Sequence, residues 1–154
     1  MAMSAAPAAV EALLSITRAA TSLADALIVD GPPGPDLSGA RRIYIGWSPG
    51  ADQAVEISQD FASAGARTRD EDLAIACYAE VRLGDKDMAL ARSRVFELVA
   101  GVEVALRATN EEPEAPTLLG TVLWAHLTTG SLTQDKSSGS LAGLAFTVSC
   151  HARI

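Results

Sequence analysis

A chain of 154 residues fits one domain, and 49% apolar with 20% charged residues is ordinary globular usage, which argues against disorder. The formal net charge is −7 and the 12 basic residues are scattered, so no basic surface for holding nucleic acid is predicted. The sequence contains no apolar run of 18 residues and no basic segment before its first apolar stretch, so we expect neither a membrane span nor a signal peptide.

The first half of the chain predicts one helix followed by short strands. Apolar residues recur at spacings of three and four between residues 7 and 26, which indicates a helix. Three prolines in the segment 31–37 can join neither a helix nor a sheet, so a loop is predicted there. Short strands are predicted at 27–29, 42–47 and 55–62.

The second half gives the clearest patterns. Apolar and polar residues alternate over 71–83, which predicts a strand with one buried face. An apolar stripe over 86–108 predicts the second helix. Strands at 121–128 and 141–153 flank a polar segment that is either a mobile loop or a short strand plus turn. This order predicts an α+β fold, a single mixed or antiparallel sheet with two main flanking helices.

No catalytic or metal site emerges from the motifs. The segment 46–50 matches the G-x-S-x-G nucleophile elbow, but Pro49 follows the serine and has no N–H for an oxyanion hole. The two histidines, His126 and His151, belong to no ligand pair of a known spacing. We therefore expect no catalytic residue, no metal, no cofactor and no enzymatic activity.

Two cysteines, Cys77 and Cys150, fall in strand-like apolar runs. A small disulfide scaffold would carry more cysteines, so we expect two buried free thiols and a reducing compartment.

Several segments together resemble a known family. They are GARTRDE at 65–71 before an alternating strand, an Ala/Arg-rich helix after 84–85, GTVLWAHL at 120–127, and FTVSCHARI at 146–154. Over residues 25–154 this pattern is similar to the tail terminator proteins of long-tailed phages of actinobacteria.

The resemblance implies a ring, normally of six copies, that sits on the last ring of the tail tube, stops its polymerisation and joins it to the head–tail connector. Expected partners are further copies of the chain, the major tail tube protein and the connector or stopper protein, with the tape-measure protein left open. DNA would pass through the ring without specific binding. The expected location is the head-proximal end of the phage tail, after assembly in the bacterial host cytoplasm.

Candidate contact residues follow from this expectation. Exposed tryptophans and long loops are common in interfaces. The candidate interface residues are Pro32, Pro33, Pro35, Trp47, Ser48, Pro49, Trp124, His126, Gln134 and Lys136. The candidate channel-facing residues, which otherwise count as solvated charge, are Asp70, Glu71, Asp72, Glu111, Glu112 and Glu114.

Other functions remain open at this stage. A different neck protein, such as a head–tail stopper or tail completion protein, has similar size and composition. A tube subunit would be expected to contain more β-structure than two helices leave room for. A cellular module that binds a small molecule or peptide would show a closed apolar pocket.

Overall fold

In the computed structural model, which describes residues 3–35, 39–65, 67–137 and 139–154, six strands form one mixed sheet. About 26% of the chain is helical and 39% is strand, which confirms the predicted α+β class. The strands are β1 (Leu27–Asp30), β2 (Arg41–Ile45), β3 (Val55–Phe61), β4 (Arg69–Leu83), β5 (Trp124–Asp135) and β6 (Ser140–Arg153), and the main helices are α1 (Ala6–Ala19) and α2 (Met88–Ala105).

The longest strand, β4, organises the sheet. One side of β4 pairs along its whole length with β6, which pairs in turn with β5. The other side pairs with β3 over the first half of β4 and with β2 over the second half. All these pairs are antiparallel, whereas β1 runs parallel to β2. The strands β1, β3 and β5 therefore lie at the edges of the described sheet.

Both main helices lie on the same side of the sheet. Alternate residues of β4 and β6 are buried beneath α2, as the alternating pattern predicts. The helix α1 packs mainly against β1 and β2. The core on this side includes Leu13, Ile43, Ile45, Ile75, Cys77, Val95, Leu98, Val102 and Val148.

The first helix ends seven residues before the predicted boundary at residue 26. Ala20 is extended, with ψ of 128°, and residues Thr21–Leu23 form a 3-10 turn. The turn docks on α2, where the Ser22 hydroxyl donates to the Gly101 carbonyl at 3.0 Å. A Cβ at Gly101 would lie 2.8 Å from the Leu23 side chain. Leu23 keeps its helical spacing in the sequence but is buried by this turn instead.

The polar segment 129–140 is mostly strand, as the second of the two alternatives predicted, but longer. The strand β5 begins at Trp124, three residues later than predicted, and continues to Asp135. A register shift lies between Leu127 and Thr129. The reversal to β6 uses Gly139 at φ of +93°, a conformation that favours glycine.

The second helix is shorter at both ends than the predicted span 86–108. It begins after Asp87, whose carboxylate accepts from the Leu90 backbone N–H at 3.1 Å. Asp85, two residues before Asp87, accepts from the Asp87 N–H at 3.1 Å. Capping therefore fixes this boundary.

Candidate functional site

The side of the sheet away from the helices, which we call the open face, is the candidate site. Directly paired residues of antiparallel strands point to the same side, so their side chains form rows across this face. One row runs Ser58, Asp72, His151 and Trp124, and the next runs Asp60, Asp70 and Arg153.

These two rows contain a network of charged side chains. Arg153 donates through Nε to the Asp70 carboxylate at 2.8 Å, and this hydrogen bond is the main reason that the pKa of Asp70 is lowered. The His151 ring lies between two carboxylates, with Nδ1 2.8 Å from Asp72 Oδ1 and Nε2 3.6 Å from Asp70 Oδ1. The network joins β4 to β6 across 79 residues of sequence.

An aromatic stack adjoins this network. The Trp124 ring is 43% exposed and lies nearly parallel to His151, with ring centroids 5.8 Å apart and an interplanar angle of 14°. The His126 ring stacks on the same tryptophan at 4.8 Å. Trp124 thus presents an amphipathic surface, the kind of side chain that often anchors a protein contact.

Three aromatic side chains pack together at the opposite end of the open face. Tyr44 and Tyr78 stack at 6.1 Å, and Trp47 lies edge-on to both at 5.1 and 5.8 Å. Tyr78 crosses Gly143, where an added Cβ would overlap its hydroxyl group. Burial is the main cause that raises the pKa of both tyrosines. The half-buried Trp47 therefore packs within its own domain.

Small side chains occupy the centre of the open face. Ala74 and Ala76 of β4 lie beside Ser149 and Thr147 of β6. Two shallow depressions of about 280 and 320 Å³ cover this region and share Ala74 and Glu56. The result is a low, mostly uncharged centre with a charged rim, which suits contact with a large surface better than enclosure of a small ligand.

Neither the His151 ring nor the segment 46–50 forms a metal site or a nucleophile elbow with its neighbours. His151 is held by Asp72 at Nδ1, and Asp70 lies 3.6 Å from Nε2. Within the described residues, no group of three or more His, Cys, Asp or Glu side chains could hold a metal ion. Ser48 is buried and its neighbour Pro49 is exposed, so the elbow-like segment is a turn after β2.

The structure separates most predicted interface residues. Trp124 and His126 share the open face, whereas Gln134 accepts from Arg92 on α2 at 2.8 Å and Lys136 is exposed in the β5–β6 turn. The prolines Pro32, Pro33 and Pro35 are exposed after β1, and residues 36 and 37 of the predicted loop lie outside the described residues.

The residues predicted to face a channel also lie in different parts of the molecule. Asp70 and Asp72 lie on the open face, but Glu71 points to the helix side and is fully buried, so the expectation that it faces a channel is wrong. Its carboxylate instead accepts from the Ala5 backbone N–H at 2.8 Å and from the Gln59 amide. The loop acids Glu111, Glu112 and Glu114 lie near the ends of α2 and β5, away from the open face.

Three large apolar residues of β3 and α2 are exposed. Ile57 and Phe61 on β3 are 41% and 70% exposed, and Phe96 on α2 is 50% exposed. The alternation of β3 places Ile57 and Phe61 on one apolar face, so the sequence carries no signal that they are exposed. Phe96 lies off the apolar stripe of α2, so the helical spacing does indicate its exposure. The two cysteines, in contrast, are buried and free as predicted.

The sequence matches no protein-family model, and no curated protein is significantly similar to it. Among the described parts of the chain, no helix combines the length and apolar character needed to cross a membrane.

Proposed function

We propose that the chain is a structural subunit of a phage tail, a terminator that forms a ring on the tail tube, stops tube polymerisation and joins the tube to the head–tail connector. The observation that carries the proposal is the one-sided sheet. Helices cover one face, while the other face and the edge strands β3 and β5 are exposed. Unpaired edge strands are readily explained by neighbours in an assembly, which leaves the open face to line the centre of a ring.

The charge of the open face supports a role around DNA. Among the described strand residues of this face, six carboxylates exceed three arginines and leave a formal charge of −3, with histidines neutral. A polyanion is repelled by an acidic wall, so DNA would pass such a lining without adhering to it. The carboxylates are Glu56, Asp60, Asp70, Asp72, Glu80 and Asp135, and the arginines are Arg42, Arg82 and Arg153.

The position of the edges supports a ring. A cyclic assembly needs two different surfaces on each copy, one of which meets the other on the next copy. The strands β3 and β5 lie on opposite sides of the β4–β6 pair. If the open face surrounds the channel, these edges meet the neighbours and the helices lie outside.

The two ends of the sheet then supply surfaces for different partners. The β5–β6 turn with Lys136 lies at one end of the sheet. Residues 62–65 and 67–68 lie at the other end, beside Ile154, which exchanges backbone hydrogen bonds with Arg69. One end would contact the tail tube protein and the other the connector. A ring with unlike ends accounts for both the end of tube growth and the joining step.

Electron microscopy of phage particles assembled without this chain tests the proposal. The expected result is abnormally long tail tubes that are not attached to heads, with normal length restored when the chain is supplied again. Tails of normal length that fail to join heads would instead identify a stopper or completion protein. Complete, ordinary particles would overturn the virion role and favour a cellular binding module.

A further inference from the structure

The edge strand β5 contains a glycine that the fold of the chain does not require. Gly130 lies beyond the register shift of β5, pairs with Phe146 and has no positive φ. A Cβ at this position would meet the Leu144 side chain at 3.8 Å, an ordinary contact distance. Glycine weakens the interior of a strand, and it often marks a place where another backbone approaches closely. The missing side chain thus leaves room for a second strand.

The two sides of β5 differ in character around this glycine. On the helix side, a groove of about 450 Å³ lies between α2 and β5, lined by the half-exposed Phe96 and by Leu132. On the open face, Thr129, Ser131 and Thr133 are exposed and neutral. A strand that pairs with this edge therefore needs an apolar side chain toward the groove and neutral polar ones on the other side, and β5 itself has this pattern.

The geometry points to a two-fold contact between copies of this chain, in which the two β5 edges pair antiparallel about Ser131. In this register Gly130 of each copy lies opposite Leu132 of the other. The contact goes beyond the proposed function and does not rest on it. A ring neighbour would use the same edge, so the two-fold dimer is the form of the free chain before assembly.

The backbone of β5 allows this register. Ala76 of β4 makes its backbone hydrogen bonds toward β2 and β3, so the next residue, Cys77, makes its own toward Phe146 of β6. Phe146 therefore turns its N–H and C=O away from β5, and Gly130 opposite it turns its groups away from β6. The same holds two residues later for Leu132. Both residues thus offer free backbone groups to a second strand.

The side chains that meet in this register are compatible. Rotation by 180° about an axis normal to the sheet reverses the strand and keeps both helix sides together, so Leu132 of each copy enters the groove above the glycine of the other. On the open face, Ser131 meets its own copy and Thr129 meets Thr133, and such hydroxyl pairs are favourable. The segment 128–134 has no charged residue, so no like charges meet along the paired strands.

The charges of α2 also fit the two-fold arrangement. Glu103 borders the groove near Leu127, 3.7 Å from Arg107 of its own helix, whereas Arg92 donates to Gln134 near the other end of β5. The register places residue 128 of one copy opposite residue 134 of the other. Glu103 of each copy then lies level with Arg92 of the other, so these exposed charges do not oppose the contact.

Sedimentation velocity of the full chain from micromolar to millimolar concentration tests the contact. We expect the wild type to dimerise in this range, because the interface is one strand and a shallow groove. Ser131→Lys and Ser131→Glu each place two like charges opposite one another at the axis, and each should weaken dimerisation by about fivefold or more. Ser58→Lys is the matched control, because Ser58 is an exposed serine on the open face of the other edge strand, β3. Circular dichroism should show that all variants remain folded.

A mixture of the two Ser131 variants tests the two-fold register. The introduced lysine of one chain lies opposite the introduced glutamate of the other, so the pair becomes attractive. We expect heterodimers to form at least as readily as the wild type dimerises. In a head-to-tail contact Ser131 would meet a different residue, and the mixture would associate no better than either variant alone. That result would overturn the proposal.

Gly130→Val tests the close approach at the groove. The strand has room for a Cβ here, so the variant should remain folded, but valine would fill the space that Leu132 of the other copy occupies. We expect dimerisation to weaken by about tenfold or more. The tail phenotype without the chain decides the proposed function independently of these results. A wild-type chain that stays monomeric at millimolar concentration, or a dimer that Gly130→Val leaves unchanged, would show that β5 does not pair in this way.

Discussion

The buried carboxylate of Glu71 should stabilise the fold by capping α1 from a distant strand. The N-cap residue Ala5 has no side-chain cap of its own, and its backbone N–H donates to Glu71 Oε1 at 2.8 Å. The other carboxylate oxygen accepts from the Gln59 amide. A negative charge at a helix amino terminus also interacts favourably with the helix dipole. Glu71→Gln removes this charge while it preserves the shape of the side chain.

The expected cost follows from the two hydrogen bonds. Bonds to a charged group contribute about 1.5–3 kcal/mol each, and the new amide would direct a donor at either Ala5 or Gln59. We therefore expect Glu71→Gln to lower the free energy of unfolding by about 2–3 kcal/mol, or the melting temperature by about 4–12 °C for a domain of this size.

Urea unfolding followed by far-ultraviolet circular dichroism measures this loss. The matched control is Glu56→Gln, which removes an exposed carboxylate from the neighbouring strand β3 and should change stability by no more than about 0.5 kcal/mol. If both variants unfold at the same urea concentration, the carboxylate of Glu71 does not stabilise α1 and the capping argument is wrong.

Three further predictions concern other contacts. Gly143→Ala should destabilise the fold by about 1–3 kcal/mol, because the added methyl group overlaps Tyr78. In a chain that already carries Tyr78→Ala, the same substitution should destabilise the fold much less, and a double-mutant cycle of thermal unfolding measures the difference. Burial raises the pKa of both cysteine thiols from 9.0 to about 12, so the free energy of unfolding should fall as pH rises through that range. A thiol-specific disulfide reagent at pH 8 should label only unfolded chains. Rapid labelling of the folded protein would contradict this. The pKa of Asp70, followed by NMR, should lie below its ordinary value of 3.8, and Arg153→Gln should raise it. The Asp70–Arg153 ion pair stabilises the fold at higher pH, and this stabilisation is lost as pH falls through the lowered pKa of Asp70.

Local patterns predicted the central elements of the fold. The alternation over 71–83 and the stripe over 86–108 correspond to β4 and α2, because both elements bury one face against the same core. The end of α1 was not predictable in this way. Leu23 repeats the helical spacing, but it is buried by a 3-10 turn that requires Gly101 of α2 to lack a side chain.

The open face could not be assembled from the sequence, because its rows depend on register. Asp72 and His151 meet only because β4 and β6 pair in one particular alignment across 79 residues. A shift of one residue would send every side chain to the other face. Glu71 shows the reverse problem, since a glutamate between two aspartates gives no indication that it caps a helix 66 positions away.

The edge strand β5 is long and carries almost no charge. Proteins usually protect long edge strands with charges, prolines or bulges. Between Trp124 and Gln134 the strand has no acidic residue, lysine, arginine or proline, and its one irregularity at Leu127 and Thr129 leaves six residues of regular edge beyond it. In a chain that functioned alone, this edge would favour uncontrolled pairing. In the proposed ring, a neighbouring copy would occupy this edge, and a second strand could pair there without meeting a like charge.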